Sequence, residues 1–369
     1  MAASANLKST PLTARHESAG GRLVDFAGYA MPVQYGNIME EVVRVRKQGG
    51  MFDLCHMGRV RITGEQREQA AQFLVHVNVE KLKLGAIRYS FFAREDGTTM
   101  DDVLIYRDVD EIFFCINAGN RGRDIEWMRE VCSRFDCQFE DLSEELAMIA
   151  IQGPKSAETM EPLCSGSAGD LRYYSFYRGE VCGVPAMISR TGYTGEDGYE
   201  IYFAASEAPR IWDEMLKSGE AHGITPIGLA ARDTLRLEAG MALYGHELDP
   251  DHNPVEAGVG FAISFKEEKG DWIGRAALAA VKAAPTKRLM GITTPGPRVP
   301  RQGGKLFRGD AEVGYVCSGA PSPTTGTNIA SVYLQLDAAE AGAALELDFR
   351  GKRQPCTVQA LPFFSRTRK

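Results

Sequence analysis

None of the eight cysteines forms a C-x-x-C pair. His56 adjoins Cys55, yet no second Cys/His cluster completes a zinc set. In a chain of 369 residues these cysteines read as reduced thiols of a cytoplasmic protein, because a core of this size needs neither disulfides nor metal. No apolar run reaches the roughly 18 residues that a membrane span needs. The net charge is −7 and no Lys/Arg block precedes the closing RTRK. Binding to phosphate backbones needs a basic face, so a general nucleic-acid role is disfavoured and the tail reads as a solvated terminus. The opening MAASANLKSTPLTARHE lacks an apolar core followed by a small-residue cleavage site, so no secretory signal is expected. Arg15 and the Ser and Thr residues faintly suggest a mitochondrial leader, but Glu17 and the early onset of domain-like sequence argue against it. There is no internal repeat and no low-complexity stretch.

What is present fits a soluble globular protein, with 44% hydrophobic and 25% charged residues. The length predicts two or three domains. Residues 38–48 place Ile38, Val42 and Val45 on one helical face, and Gly49-Gly50 ends the run. GEQREQAAQFLVHV and Arg121 to Cys132 read as further helices. IRYSFFA, DVLIYR and EIFFCIN read as strands joined by short turns. AMIAIQG, VPAMISR and YEIYF are strands, and Pro209 to Lys217 and Gly228 to Ala239 are helices. Such irregular mixing favours an α+β fold over a parallel βαβ one. Beyond about residue 265 the text turns to short strands punctuated by Gly and Pro, predicting a separate all-β domain, a barrel or jelly roll.

Four segments are candidates for chemistry. In SRTGYTGEDGYE, Ser189 to Glu200, the glycines permit close backbone approach. The G-x-G-x-x-G order of a dinucleotide site is absent. A long hairpin turn and a ligand loop are both open, with Tyr193 and Glu200 as the residues able to do more than turn. On the strand DVLIYR, alternation puts Asp102, Leu104 and Tyr106 on one face and Asp101, Val103 and Ile105 on the other. The second face looks like core, which leaves Asp102 and Tyr106 as a candidate site wall. The competing use is that both aspartates cap a turn after Gly97. Arg232 and Arg236 stand four apart on one helical face. That face suits a carboxylate ligand, or is an ordinary solvated face pairing with Asp233 and Glu238. Cys55 and His56 are neighbours on an extended chain and point apart, so Cys55 reads as structural.

Together these segments resemble the glycine cleavage T-protein family. The matching pieces include TPLTARHESAGGRLVDFAGYAMPVQY, EEVVRVRKQGGMFDLCHMG, RYSFFAREDGTTMDDVLIY, AMIAIQGP, SRTGYTGEDGYEIY, GLAARDTLRLEAGMALYG and VGYVCSGAPSP, in family order over nearly the whole chain. The resemblance implies an α+β cloverleaf of three domains around a folate site: residues 1–50 with 140–250, residues 51–139, and a C-terminal β domain at 265–369. It implies a tetrahydrofolate-dependent aminomethyltransferase that takes its one-carbon unit from a lipoylated H-protein and releases ammonia. Tetrahydrofolate is the implied co-substrate, with no metal, nucleic acid or membrane partner. The implied location is the bacterial cytoplasm, or the mitochondrial matrix in a eukaryote.

The family's catalytic aspartate falls on Asp102, the residue that alternation also selects. Its folate contacts fall on Met57, Tyr89, Tyr106, Asn117, Tyr193, Glu200 and Arg232. Two positions depart from the family: Tyr29 where Trp is usual and Cys55 where Ser is usual. Two alternatives share the implied fold, a folate-dependent demethylase and a folate-binding scaffold without turnover. The scaffold has no use for a base at Asp102. Assembly factors of that kind carry a Lys-Gly-Cys-Tyr stretch, whereas this chain has MALYGHE.

The cysteine pattern carries its own test. All eight thiols should titrate as free under denaturing, non-reducing conditions, and Cys55→Ser should retain activity. A folded but inactive Cys55→Ser protein would reopen a thiol mechanism.

Overall fold

The computed structural model describes residues 7–366; residues 1–6 of the opening segment and 367–369 of the RTRK tail lie outside the described residues. The chain forms two compact units. One comprises residues up to 68, 82–88 and 104–233; the other comprises 69–81, 89–103 and the residues from 234 on.

The first unit is organised by a six-stranded sheet. Its order is Phe176–Val181, Val184–Ser189, Gly198–Ala204, Leu146–Gln152, Gly50–Asp53 and Thr225–Pro226. Only the last pair is parallel. The central strands are apolar on both faces, as strands covered on both sides must be. Ile149, Ile151, Ile201 and Phe203 lie in a core that also holds Trp212 and Met215 of the helix Ala208–Gly219. Pro209 occupies the first turn of that helix, where the missing N–H costs nothing.

The helix Ile38–Lys47 follows the same local logic. Asn37 caps it by accepting from Met39 N and Glu40 N, acidic residues fill its first turn and basic residues its last. Val42 and Val45 are its buried stripe. The two glycines that end it do more than stop a helix. A Cβ on Gly49 would lie 2.6 Å from Ile224, and one on Gly50 would lie 2.1 Å from Ile227. The chain therefore passes from helix to strand through a gap that admits no side chain.

A five-stranded antiparallel sheet runs in the order Ala86–Ala93, Thr99–Arg107, Ile112–Ile116, Gly58–Thr63 and Gln138–Asp141. Asp101 and Asp102 lie inside the strand Thr99–Arg107, not in a turn cap. Asp101, Val103 and Ile105 are buried, and Asp102 and Leu104 are half-buried, as alternation predicts.

In the second unit six strands close into a barrel: Lys287–Thr294, Thr327–Gln335, Ala311–Ser322, Lys305–Arg308, Ala344–Asp348 and Arg353–Gln359. Closure leaves no edge strand to template aggregation. Ile292, Leu306, Val316, Val332, Leu345 and Val358 fill its interior. A register shift between Val316 and Ser318 bends the long strand. The sequence reading missed two elements around this barrel. Lys305–Arg308 is only four residues long. The helix Arg275–Ala283 lies in the stretch read as all-β and fully buries Leu278 alone, with Ala277 and Val281 half-buried beside it.

Two glycines separate the effects of space and backbone. Gly50→Ala should destabilise the chain by about 1–3 kcal/mol through overpacking. Gly122, in the helix Arg121–Cys132, has nothing within 4 Å of an added Cβ, and Gly122→Ala should stabilise it by about 0.5 kcal/mol. Urea unfolding of both variants measures the contrast, and equal effects would refute the packing account.

Candidate functional site

In the first unit three of the candidate residues line one cleft. Tyr193, Glu200 and Arg232 share its wall with Phe52, Leu54 and Gln152, around a narrow space of about 10 Å³, room for about one water. Glu200 stands on the strand Gly198–Ala204, opposite Ala150 on one side and Ser189 on the other. It is 5% exposed, so it does not sit on a solvent face. Thr191 donates its hydroxyl proton to Glu200 Oε2 at 2.5 Å, and Ser189 Oγ lies 2.9 Å from Thr191 Oγ1. The guanidinium of Arg232 lies 4.7 Å from the centre of the Tyr193 ring, a cation–π arrangement.

The segment Ser189 to Glu200 is the long hairpin connection that the sequence allowed, with Ser189 paired to Glu200, and it walls a cleft. Its ends are pinned by Arg190, which meets Asp197 at 2.9 and 2.5 Å. Arg46 pins it from the helix Ile38–Lys47, reaching Glu196 at 3.0 Å and the carbonyl of Thr194 at 2.7 Å.

The remaining candidates of this unit lie elsewhere. Met57 is half-buried on the turn after Gly50–Asp53, its carbonyl accepting from Arg59 at 2.6 Å. Asn117 is half-buried just past the strand Ile112–Ile116. Tyr106 differs from its expected place in an open wall. It is fully buried, its hydroxyl 2.8 Å from that of Tyr202 and its ring edge-on to Phe113 and Phe176. Rings of the six-stranded sheet cover this end of the strand, so packing closes the face at Tyr106 that alternation leaves half-buried at Asp102.

In the second unit Tyr89 donates to Asp102 Oδ2 at 2.9 Å. The Tyr89 ring also meets Phe91 edge-on and lies 6.4 Å from Phe261, which is 81% exposed. The helical face that Arg232 and Arg236 share is not an ordinary solvated face. Arg236 is 1% exposed and donates to Glu247 at 2.8 Å and Ser318 at 2.7 Å. It is neither a solvated charge nor a free ligand group. Glu238 is also buried and accepts from Ser322 and Thr324.

Cys55 and His56 form no couple. Burial pushes the Cys55 thiol well above its ordinary value, and its sulfur points to the carbonyl of Met148 at 3.5 Å. His56 is buried with neither ring nitrogen hydrogen-bonded, and burial lowers its pKa to about 3, which keeps it neutral. Among the described residues no group of three or more His, Cys, Asp or Glu is placed to hold a metal, and no helix is long and apolar enough to cross a membrane.

Sequence reasoning missed Gln152, Thr191 and Thr194. Gln152 had a signal: a polar residue closing the apolar run AMIAI. The two threonines looked like turn residues, and only their hydrogen bonds distinguish them.

Burial raises the Glu200 carboxyl above its ordinary value, opposed by the Thr191 hydrogen bond and the charge on Arg232. Between the ordinary value and the raised one, the folded chain binds more protons than the unfolded chain. Stability therefore falls as pH rises through that window and stays lower above it. Glu200→Gln removes this term, so the variant without ligand should be more stable than the parent at pH 8 and lose that advantage toward pH 4. Denaturant midpoints across this range test the sign; a variant less stable at pH 8 would refute it.

Two family models account for most of the chain. The GCVT N-terminal domain matches residues 12–267 and the glycine cleavage T-protein C-terminal barrel domain matches residues 287–365. The aminomethyltransferase of Saccharopolyspora erythraea is 41% identical over 362 residues, covering 97% of this chain and 98% of its own. That of Streptomyces coelicolor is 42% identical over 371 residues, covering 98% and 99%. The crystal structure of glycine cleavage system aminomethyltransferase T from Bartonella henselae superposes with a TM-score of 0.90 at 29% identity, covering 97% of this chain and 98% of that one. With its mixed α/β units, closed barrel and end-to-end similarity, this chain belongs to the glycine cleavage T-protein family of aminomethyltransferases.

Proposed function

We propose that this enzyme takes the carbon of an aminomethyl group carried on a lipoyl sulfur of the H-protein and passes it to tetrahydrofolate. The carbon leaves both its sulfur and its nitrogen and becomes a methylene bridge between two folate nitrogens. The two folate N–H protons balance the reaction, one ending on ammonia and one on the freed thiol. The observation that carries this reading is the Glu200 carboxylate, buried in the wall of a cleft with Arg232 and Tyr193 beside it. A reduced pterin presents its 2-amino group and ring N3–H side by side, and a carboxylate offers two acceptors at matching separation. Thr191 occupies one lone pair of Oε2, so Oε1 and a second lone pair remain for such a ligand.

Asp102 is the proposed catalytic residue. A carboxylate accepting from a folate N–H raises the nucleophilicity of that nitrogen. The rest of the machinery aligns two reactants, an effect worth on the order of 7–11 kcal/mol. Met57, Tyr89 and Asn117 are proposed as further folate contacts, with Tyr106 as a buried support. The three sheets are the proposed cores of three domains, at 1–50 with 140–250, at 51–139 and at 265–369.

The test is ammonia release from aminomethylated lipoyl H-protein in the presence and absence of tetrahydrofolate. Release that needs both partners is expected. Tight folate binding without any release would make the chain a scaffold. Asp102→Asn should abolish most turnover and leave folate affinity nearly unchanged, while Asp101→Asn should be far milder per folded molecule. Equal losses at the two positions would sink the assignment of Asp102.

A further inference from the structure

Gln152 ends the strand Leu146–Gln152 with its side chain 2% exposed. Its amide is turned into the loop between Ser189 and Glu200. Nε2 donates to the carbonyl of Thr191 at 3.1 Å and is shared with that of Ile151 at 3.2 Å. Oε1 accepts from the Thr194 hydroxyl at 3.0 Å. One amide thus grips the loop at two points three residues apart, as donor at one and acceptor at the other.

Gly192 is cut to this amide, while Gly198 meets first the Ile151 carbonyl, 2.3 Å from an added Cβ, and then the amide. A Cβ on Gly192 would stand 1.8 Å from Gln152 Oε1, and one on Gly198 would stand 2.6 Å from its Nε2. Neither glycine has a positive φ, so what each position demands is room and not an unusual backbone. The loop ends are held independently by the Arg190–Asp197 and Arg46–Glu196 pairs. Within the stretch at the cleft, Arg46 holds the Thr194 carbonyl, while Gln152 holds the Thr191 carbonyl and the Thr194 hydroxyl.

That stretch contains Thr191, whose hydroxyl holds Glu200, and Thr194, which lines the cleft with Gln152 itself. We infer that Gln152 is a positioning residue for the ligand of this cleft, fixing Thr191 and Thr194 and, through Thr191, the direction in which the Glu200 carboxylate faces. The inference rests on the reading of the cleft as a folate site. It explains why the TGYTGEDG loop needs glycine at Gly192, and it makes Gln152 a determinant of folate affinity that need not touch folate.

The experiment measures tetrahydrofolate affinity and the KM for aminomethylated H-protein on the full chain. Gln152→Met keeps length and loses both amide bonds. It should weaken tetrahydrofolate binding about tenfold, the scale of one to two lost hydrogen bonds, with the KM for H-protein unchanged. A parallel rise in both, or unchanged affinity, would overturn the inference. Gly192→Ala should also weaken folate binding, because its methyl group meets the Gln152 amide. In a Gln152→Ala background the same change should cost little further affinity, since the obstructing amide is gone. Additive losses would overturn the inference even if one single variant folds poorly. Glu200→Gln separates the two levels. If it binds tetrahydrofolate like the parent, the folate reading of the cleft fails. If it binds weakly while Gln152→Met binds normally, only the role of Gln152 fails.

Discussion

A carboxylate held inside a sheet is the constraint around which the first unit is built. Taking such a group out of water costs several kcal/mol unless hydrogen bonds and opposite charge compensate. Glu200 meets that cost in part: Thr191 supplies a hydrogen bond and Arg232 a favourable field, yet burial still dominates and lifts the carboxyl's pKa. A group left under-compensated in this way has bonding capacity in reserve. A ligand with adjacent N–H donors recovers it, which is why the strain is informative about function.

Compensation at Glu200 propagates outward through short-range contacts. Thr191 must stand where its hydroxyl reaches the carboxylate, so the loop backbone must approach the strand Leu146–Gln152 closely. That approach is possible only where glycines leave room for the Gln152 amide. The outer pins at Arg190 and Arg46 then keep the loop from splaying. A similar economy appears at Gly49 and Gly50, where a helix and a strand meet with no space for a methyl group. In both places glycine serves packing, and its conformational freedom is incidental.

The second unit uses buried charge differently. Arg236 and Glu247 neutralise each other beside two serines, with each partner 1% exposed. The effect of that cluster is to fasten the segment from Arg236 to Glu247 to the barrel strands. Asp102 differs in place: a half-buried carboxylate that accepts from the Tyr89 phenol, with an exposed aromatic ring nearby.

Periodicity and punctuation determined much of this protein. The helix at 38–47, the helix at 121–132, the alternating burial around Asp102 and the all-β character of the C-terminal strands follow from local rules acting on residues close in sequence. The burial of Asp101 and the half-exposure of Asp102 belong here too, since alternation is a property of the strand alone. Other features depend on partners far away along the chain. Tyr106 shares a strand face with Asp102 and is nevertheless sealed by Phe176 and Tyr202. Arg232 and Arg236 share a helix face, and one stands over Tyr193 while the other is locked to Glu247. Gln152 looks like the polar end of an apolar run until the hairpin folds against it. Sequence fixes which way a side chain leaves its own backbone; what it meets there is set by elements tens of residues distant, and only tertiary packing brings those into contact.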